Sequence, residues 1–112
     1  MDLVCESING VMVIIPAGPQ LDASTADEFK DAITPILDAN QQVLVDLSRL
    51  DFVDSSGLGA FLICLRHAQA QGGDMKLCSM LPQVRQLFEL VRLHRLFHIF
   101  DTQDAALKTF ES

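Results

Sequence analysis

Two adjacent serines near the middle of the chain are the residues best placed to do chemistry. They stand in the segment Asp54-Ser55-Ser56-Gly57-Leu58-Gly59, between an apolar run that ends at Val53 and a helical apolar stripe that begins at Leu58. A helix that begins at the serines places their hydroxyls beside free backbone amides and the positive end of the helix dipole. Such a position accommodates an anion, which makes the pair a candidate phosphate site.

Small residues around the serines leave the first helical turn open to a second protein. Gly57, Gly59 and Ala60 carry little or no side chain, which lets another chain approach the serine backbone closely. A simpler interpretation is that Asp54 or Ser55 only caps the helix, a common role for both residue types. A cap accounts for one serine and leaves the second serine and the glycine pair unexplained.

Two other functions compete with a binding site at this turn. A serine on a sharp strand-to-helix turn also occurs in hydrolases with a Gly-x-Ser-x-Gly elbow, for which His67, His94 and His98 are candidate bases. The glycine of that motif is missing, because Val53 stands two residues before Ser55. A nucleotide-binding module would need the Gly-Lys-Ser/Thr of a phosphate loop, which the sequence lacks.

Alternating strand and helix patterns position the serine segment. Two strand-like runs, Leu3 to Ile8 and Val11 to Ala17, flank Asn9-Gly10 and predict an N-terminal hairpin with a type I′ turn. The continuous apolar run in Gln42 to Leu47 predicts a central strand. The other predicted elements are a helix opened by a capping box at Thr25 to Glu28 and distorted at Pro35, a strand extension through Leu50, Phe52 and Val53, a helix from the serines to Gly72-Gly73, a strand from Met75 to Ser79, a helix from Pro82 to Val91, a strand from Phe97 to Phe100 and a helix from Thr102 to Phe110.

This alternation predicts an α/β fold. We expect one domain over residues 1–112, with a mixed four- to five-stranded sheet, an N-terminal antiparallel hairpin and about four helices. A chain of 112 residues suits one compact core and leaves no room for a second.

Composition and charge exclude several classes of function. The net charge of −7 disfavours direct contact with nucleic acid, whose affinity for proteins depends on clustered Lys and Arg. No apolar stretch approaches the roughly 20 residues of a membrane span, so we expect a cytoplasmic protein that does not contact the membrane. Cys5, Cys64 and Cys78 are scattered, which predicts reduced, buried thiols; without paired Cys or His at short spacing, neither a metal nor a cofactor is expected.

One short stretch is basic in an otherwise acidic chain. Its cationic or titratable residues are Arg85, Arg92, His94, Arg95 and His98. The simpler interpretation is a solvated helix face that pairs with nearby acids, where each exposed pair contributes little. The alternative is a docking surface.

The residues around the serines resemble a known family. Asp46-Leu47-Ser48 through Phe52-Val53-Asp54-Ser55-Ser56-Gly57-Leu58-Gly59 closely resembles the signature of the STAS domain, named for sulphate transporters and anti-sigma-factor antagonists. Gly18-Pro19-Gln20-Leu21-Asp22 resembles that family's Gly-x-Leu-Asp motif with one extra residue, and the order of elements matches the family along nearly the whole chain. A stand-alone domain of this length is similar to the bacterial anti-sigma-factor antagonists.

The resemblance implies a partner switch and not an enzyme. The unphosphorylated protein would bind an anti-sigma factor that is also a serine kinase of the histidine-kinase-type ATPase fold, and so free a sigma factor. Phosphorylation of Ser55 would block that binding, with a serine phosphatase as a further partner. The implied partner-binding residues are Asp22, Asp54, Ser55, Ser56, Gly57, Leu58 and Gly59. The protein would be a monomer or weak dimer; a STAS subunit of another regulatory complex or of a lipid-transport complex is the alternative.

Overall fold

A mixed sheet with helices packed against its faces forms the frame of the molecule. The computed structural model describes residues 2–111 of the chain. Within that range the strands are β1 (Leu3–Ile8), β2 (Val11–Pro16), β3 (Gln20–Leu21), β4 (Gln42–Asp46), β5 (Phe52–Val53), β6 (Asp74–Cys78) and β7 (Ile99–Phe100). The helices are α1 (Ala26–Ala39), α2 (Ser55–Ala70), α3 (Pro82–Leu90) and α4 (Gln103–Lys108), and a 3₁₀ turn spans Leu93–Arg95. This architecture confirms the predicted α/β fold.

The main sheet has the strand order β1-β2-β4-β6-β7, and β3 pairs with β5 in a separate ribbon. The first two strands are antiparallel, whereas the other pairs are parallel. Asn9 and Gly10 close the hairpin with φ of 52° and 82°. Positive φ at both central positions is what a type I′ turn requires, so the predicted turn is confirmed. Pro16, which has no N–H to donate, is the last residue of its strand.

The central strand leads directly to the serine segment. Val43, Leu44 and Val45 of β4 are fully buried between β2 and β6. Their unbroken apolar run is typical of a parallel strand covered on both faces. The chain leaves the carboxyl end of this strand, passes through the buried Leu50 and β5, and enters α2. The serines therefore lie near the carboxyl edge of the sheet, where αβ folds commonly place their functional groups.

Apolar clusters cover both faces of the main sheet. On one face α1, α2 and α3 pack over the strands, and a row of phenylalanines runs between them. Ring centroids lie 5.1 Å apart for Phe29 and Phe61, 5.7 Å for Phe61 and Phe88, and 5.8 Å for Phe88 and Phe97. On the other face α4 covers Val11, Val13, Leu44 and Cys78 with Ala106. Tilted and edge-to-face rings at these separations add to the stability that burial alone provides.

The start of α1 differs from the prediction. Thr25 holds the predicted N-cap position but makes no capping hydrogen bond with its side chain, so the hydroxyl half of the predicted capping box is wrong. Its hydroxyl accepts from the Asp22 amide at 3.0 Å and is used by the preceding turn. At the start of the helix, the amides of Thr25 and Ala26 both donate to the Asp22 carbonyl. Pro35 lies inside the helix, which continues to Ala39.

The end of α2 follows from two glycines. Gly72 has φ +78°, the left-handed conformation that glycine adopts without a Cβ penalty. Its amide donates to the Gln69 carbonyl at 3.0 Å and the Gly73 amide donates to the Ala68 carbonyl at 2.9 Å. These two bonds form a Schellman motif and satisfy the last carbonyls of the helix.

The cysteines divide between core and surface. Cys64 and Cys78 are buried as predicted, and burial raises the pKa of each thiol to about 11. Cys5 is exposed on the edge strand β1, so the prediction of a buried thiol was wrong there. No helix within residues 2–111 is long and apolar enough to cross a membrane.

Candidate functional site

The turn before α2 is built around the side chain of Asp54. This residue is the N-cap, and its Oδ1 accepts from the Gly57 amide at 3.0 Å. Its backbone carbonyl accepts from the Leu58 amide at 3.0 Å. Two of the amides at the start of the helix are thereby satisfied. The capping role weighed for Asp54 or Ser55 therefore belongs to Asp54.

The two serines are the first two residues of α2 and play no part in capping. Both Ser55 and Ser56 are exposed. Within the described residues 2–111, neither hydroxyl has a hydrogen-bond partner. Their amides occupy helix positions that have no intrahelical acceptor. The hydroxyls are therefore accessible to another protein without loss of any hydrogen bond of the fold.

Two of the predicted contact residues lie beneath the surface. A Cβ on Gly57 would come within 2.4 Å of the Leu21 carbonyl oxygen and 2.9 Å of Val53 Cγ1. Glycine is therefore required here, because α2 starts in contact with β3. Leu58 is 6% exposed and packs in the core. Gly59 is partly exposed, and a Cβ there would meet nothing within 4 Å. A rigid partner can touch Gly59 and the serines but not the buried pair.

The loop that contains Asp22 lies against the serine turn. The Asp54 amide donates to the Leu21 carbonyl at 3.2 Å, and the Ala23 amide donates to Asp54 Oδ2 at 3.2 Å. One carboxylate thus ties its own helix to the neighbouring loop. The structure brings Asp22, Asp54, Ser55, Ser56 and Gly59 to one edge of the molecule, as the resemblance implies.

The carboxylate of Asp22 is engaged within its own loop. Its Oδ1 accepts from the Ser24 hydroxyl at 2.6 Å, the Ser24 amide at 2.9 Å and, more weakly, the Thr25 hydroxyl at 3.4 Å. The Ser24 hydroxyl, followed by the Ser24 amide, lowers the pKa of this carboxyl below its ordinary value. Asp22 therefore stays ionised beside the serine turn at neutral pH and shapes the loop.

The ribbon that joins the two motifs was predicted only in part. The strand extension through Phe52 and Val53 is confirmed as β5, whereas β3 and its pairing with β5 were missed. β3 is two residues long, too short to show any periodicity. The extra residue in the Gly-x-Leu-Asp motif does not break the pairing, because the Pro19 carbonyl accepts from the amides of Asp51 and Phe52 at 2.8 and 3.1 Å. The Phe52 side chain, 50% exposed just before the turn, is a further surface residue that sequence reasoning did not select.

The structure gives no support to a serine hydrolase. His67 lies three turns along α2 from Ser55, about 18 Å at 1.5 Å per residue. Its Nε2 is 2.7 Å from Asp38 Oδ1, at the far end of the helix from the serines. No histidine among residues 2–111 forms a hydrogen bond with either serine hydroxyl. The same part of the chain contains no group of three or more side chains placed to hold a metal ion.

Comparisons with known proteins agree with this arrangement. The family model of the STAS domain matches residues 2–106. An anti-sigma F factor antagonist of Paenibacillus polymyxa is 28% identical over 113 residues, covering 99% of this chain and 96% of the relative. An anti-sigma-B factor antagonist of Staphylococcus aureus is 27% identical over 86 residues, covering 76% of this chain and 80% of the relative.

Solved structures share the fold. An anti-sigma-factor antagonist (STAS) domain protein from Planctomyces limnophilus superposes with a TM-score of 0.89 at 21% identity, covering all of both chains. The anti-sigma factor antagonist SpoIIAA matches with a TM-score of 0.72 in its unphosphorylated form, at 23% identity over 99% of both chains. Its phosphorylated form also gives 0.72, at 24% identity over 98% of this chain and 100% of that one. With the family model matching nearly the full length and the motif residues gathered at one edge, this chain belongs to the STAS domain family.

Proposed function

We propose that this protein is a cytoplasmic anti-sigma factor antagonist whose binding is switched by phosphorylation of Ser55. Its unphosphorylated form binds an anti-sigma factor that is also a serine kinase of the histidine-kinase-type ATPase fold, and this releases a sigma factor. The kinase then phosphorylates Ser55 and ends the interaction, and a serine phosphatase reverses the modification. The relatives named as anti-sigma factor antagonists support this function.

The observation that carries the proposal is the exposed, unbonded hydroxyl of Ser55 beside a cap supplied by a different residue. A phosphoacceptor must enter a kinase active site, and a hydroxyl that caps a helix would have to break its hydrogen bond to do so. Ser56 is equally exposed. The choice of Ser55 over Ser56 therefore rests on the position of the first serine in the family motif.

Phosphorylation would change the charge of the contact surface strongly. A phosphoserine adds about −1.5 to −2 charges at neutral pH and three acceptor oxygens. The carboxylates of Asp54 and Asp22 already lie at the same edge, so the added charge repels an acidic partner surface, and a neutral one would strip the phosphate of its hydration. A serine-turn surface made of Asp22, Asp54, Ser55, Ser56 and Gly59 is thus converted from one that a partner can cover to one that it cannot.

The same modification should leave the fold unchanged. Ser55 points into solvent at the first position of α2, where amides and the helix dipole favour a negative group by about 0.3–1 kcal/mol. Repulsion from Asp54 offsets part of that gain. The equal TM-scores of the phosphorylated and unphosphorylated SpoIIAA structures against this chain are consistent with a fold that both states share.

The test is to incubate the protein with its cognate anti-sigma factor and ATP and to locate the phosphate by mass spectrometry. We expect it on Ser55, with modification lost in Ser55→Ala and kept in Ser56→Ala. Titration calorimetry should then show that Ser55→Ala binds the anti-sigma factor like wild type and that Ser55→Asp does not. Far-UV circular dichroism of the phosphoprotein should match that of the unmodified protein. Equal binding by the two Ser55 variants would refute the switch.

A further inference from the structure

A second exposed surface lies where α3 ends. It consists of Leu90, Val91, Arg92, Arg95 and Leu96, here named the α3-end patch. Leu90, Val91 and Leu96 are 79%, 47% and 51% exposed. They are three of the six large apolar side chains that are exposed in the described part of the chain. Isolated exposed aliphatic residues are ordinary, but three of them within seven residues of the sequence make this segment a candidate interaction surface.

Packing within the fold does not account for these side chains. α3 is held to the core by Val84 and Phe88, and Leu87 and Leu93 pack against the same cluster. Leu90 and Leu96 fall outside that cluster. Their removal would therefore cost the fold little, and their presence has to be explained by something outside it.

The charge of the patch is opposite to that of the molecule. The chain has a net charge of −7, yet Arg92 and Arg95 are exposed and form no ion pair within residues 2–111. The predicted pairing of the basic stretch with nearby acids is confirmed for Arg85, whose Nη1 lies 2.7 Å from Asp101 Oδ1. Glu89 is a nearby exposed acid. The two unpaired guanidinium groups would complement an acidic partner surface.

The backbone presents one of these cations in an unusual conformation. Arg92 has φ +63°, a left-handed conformation that glycine adopts with less strain. Its amide donates to the Glu89 carbonyl at 3.0 Å and closes the helix end. Glycine would hold this turn with less backbone strain, so the arginine side chain is present here at a cost to stability.

The patch lies within reach of a partner bound at the serine turn. At its start α3 contacts the β5 region, where Gln83 Nε2 is 3.5 Å from the Asp51 carbonyl. The nine residues of α3 span about 13 Å at 1.5 Å per residue. A protein interface of standard size covers about 800 Å² on each partner, equivalent to a disc of roughly 16 Å radius. One partner can therefore cover the serine turn and extend towards the end of α3.

We infer that the α3-end patch is a second contact site for the same partner, and that it binds an acidic surface with an apolar centre on that protein. This inference rests on the proposed function. A membrane is a poorer occupant, because lipid-binding segments typically contain four to eight clustered cations and the patch has two arginines. Since the patch lies away from Ser55, its contribution to affinity is the same in both phosphorylation states, and only the serine turn acts as the switch.

The test compares dissociation constants for the cognate anti-sigma factor at two salt concentrations. Leu90→Ala/Leu96→Ala and Arg92→Glu/Arg95→Glu should each weaken binding about tenfold or more, the range expected when central interface contacts are truncated. The charge-reversed variant should also lose most of the salt dependence. Val4→Ala on the edge strand β1 and Lys108→Glu on α4 change exposed residues on other elements and should stay within about twofold of wild type.

The two proposals fail in distinguishable ways. If the patch variants bind like wild type while Ser55→Asp does not, the second site is refuted and the switch stands; if Ser55→Asp also binds like wild type, both are refuted. The inference is also refuted if the patch variants bind the anti-sigma factor like wild type but lose another interaction. Lost self-association in sedimentation would assign the patch to another copy of the chain, and lost binding to phosphatidylglycerol vesicles would assign it to lipid. Thermal melts confirm that each variant is folded.

Discussion

Replacement of Gly57 by alanine tests whether the serine turn depends on close contact between α2 and β3. The added Cβ would lie 2.4 Å from the Leu21 carbonyl oxygen, a backbone atom that cannot move aside cheaply. Overpacking of this kind costs about 1–3 kcal/mol, and the higher helix propensity of alanine returns at most about 1 kcal/mol of it. The shift would also strain the bond from the Asp54 amide to the same carbonyl, at 3.2 Å. We expect a net loss of about 1–2 kcal/mol in the free energy of unfolding.

Gly59 provides the matched control, since a Cβ at that position meets nothing within 4 Å. Gly59→Ala should stabilise the protein by about 0.5–1 kcal/mol through helix propensity and a less flexible unfolded chain. Urea denaturation, with the two variants and wild type fitted together, measures both effects. If Gly57→Ala is as stable as Gly59→Ala, the close approach of helix and ribbon does not determine the geometry of the turn, and the structural role assigned to Gly57 is wrong.

Three further predictions address the cap, the strained turn and acid stability. Asp54→Ala should lower the free energy of unfolding by about 1 kcal/mol, whereas Asp54→Asn, which keeps an acceptor for the Gly57 amide, should lose less in the same urea assay. Arg92→Gly should raise the free energy of unfolding by about 0.5–1 kcal/mol, because glycine adopts the positive φ without strain, whereas Arg92→Ala should not raise it. Equal values for the two variants would contradict the backbone strain assigned to Arg92. The pKa of Asp22 is lowered mainly by Ser24 and that of Asp38 mainly by Gln71 and then His67, both from an ordinary value of 3.8. The hydrogen bonds that lower each pKa in the folded protein stabilise the fold while the carboxyl group is ionised. This stabilisation is complete above the unfolded-state pKa and is lost as pH falls through the lower folded-state pKa. The free energy of unfolding, measured from pH 6 to 3, should therefore fall less steeply in Asp22→Asn and Asp38→Asn than in wild type.

Features set by neighbouring residues could be predicted from the sequence, whereas those that depend on distant contacts could not. The hairpin follows from the tolerance of Asn9-Gly10 for positive φ, and the central position of β4 follows from its apolar run. The β3 ribbon exists only because β5 lies beside it, and two residues carry no period of their own. The capping bond of Thr25 was wrong for a related reason. Its hydroxyl accepts a backbone amide as predicted, but the donor is the Asp22 amide of the preceding turn and not an amide of α1.

The same limit applies to the candidate site and explains how its four central residues divide their roles. Sequence alone permits Asp54 or Ser55 to cap the helix, because both residue types are good caps. In the structure Gly57 lies against Leu21 in the first turn of α2, Asp54 holds the cap, and the serines lie one and two residues inside the helix. If Ser55 were the cap, its hydroxyl would have to break its bond to a helix amide before it could enter a kinase active site, so the modification would be coupled to opening of the first helical turn. In the proposed switch the cap is the Asp54 carboxylate, so the Ser55 hydroxyl can gain and lose a phosphate while α2 stays in place. A switch of this design acts through the charge of its surface, and it can be read only by a partner that covers the turn.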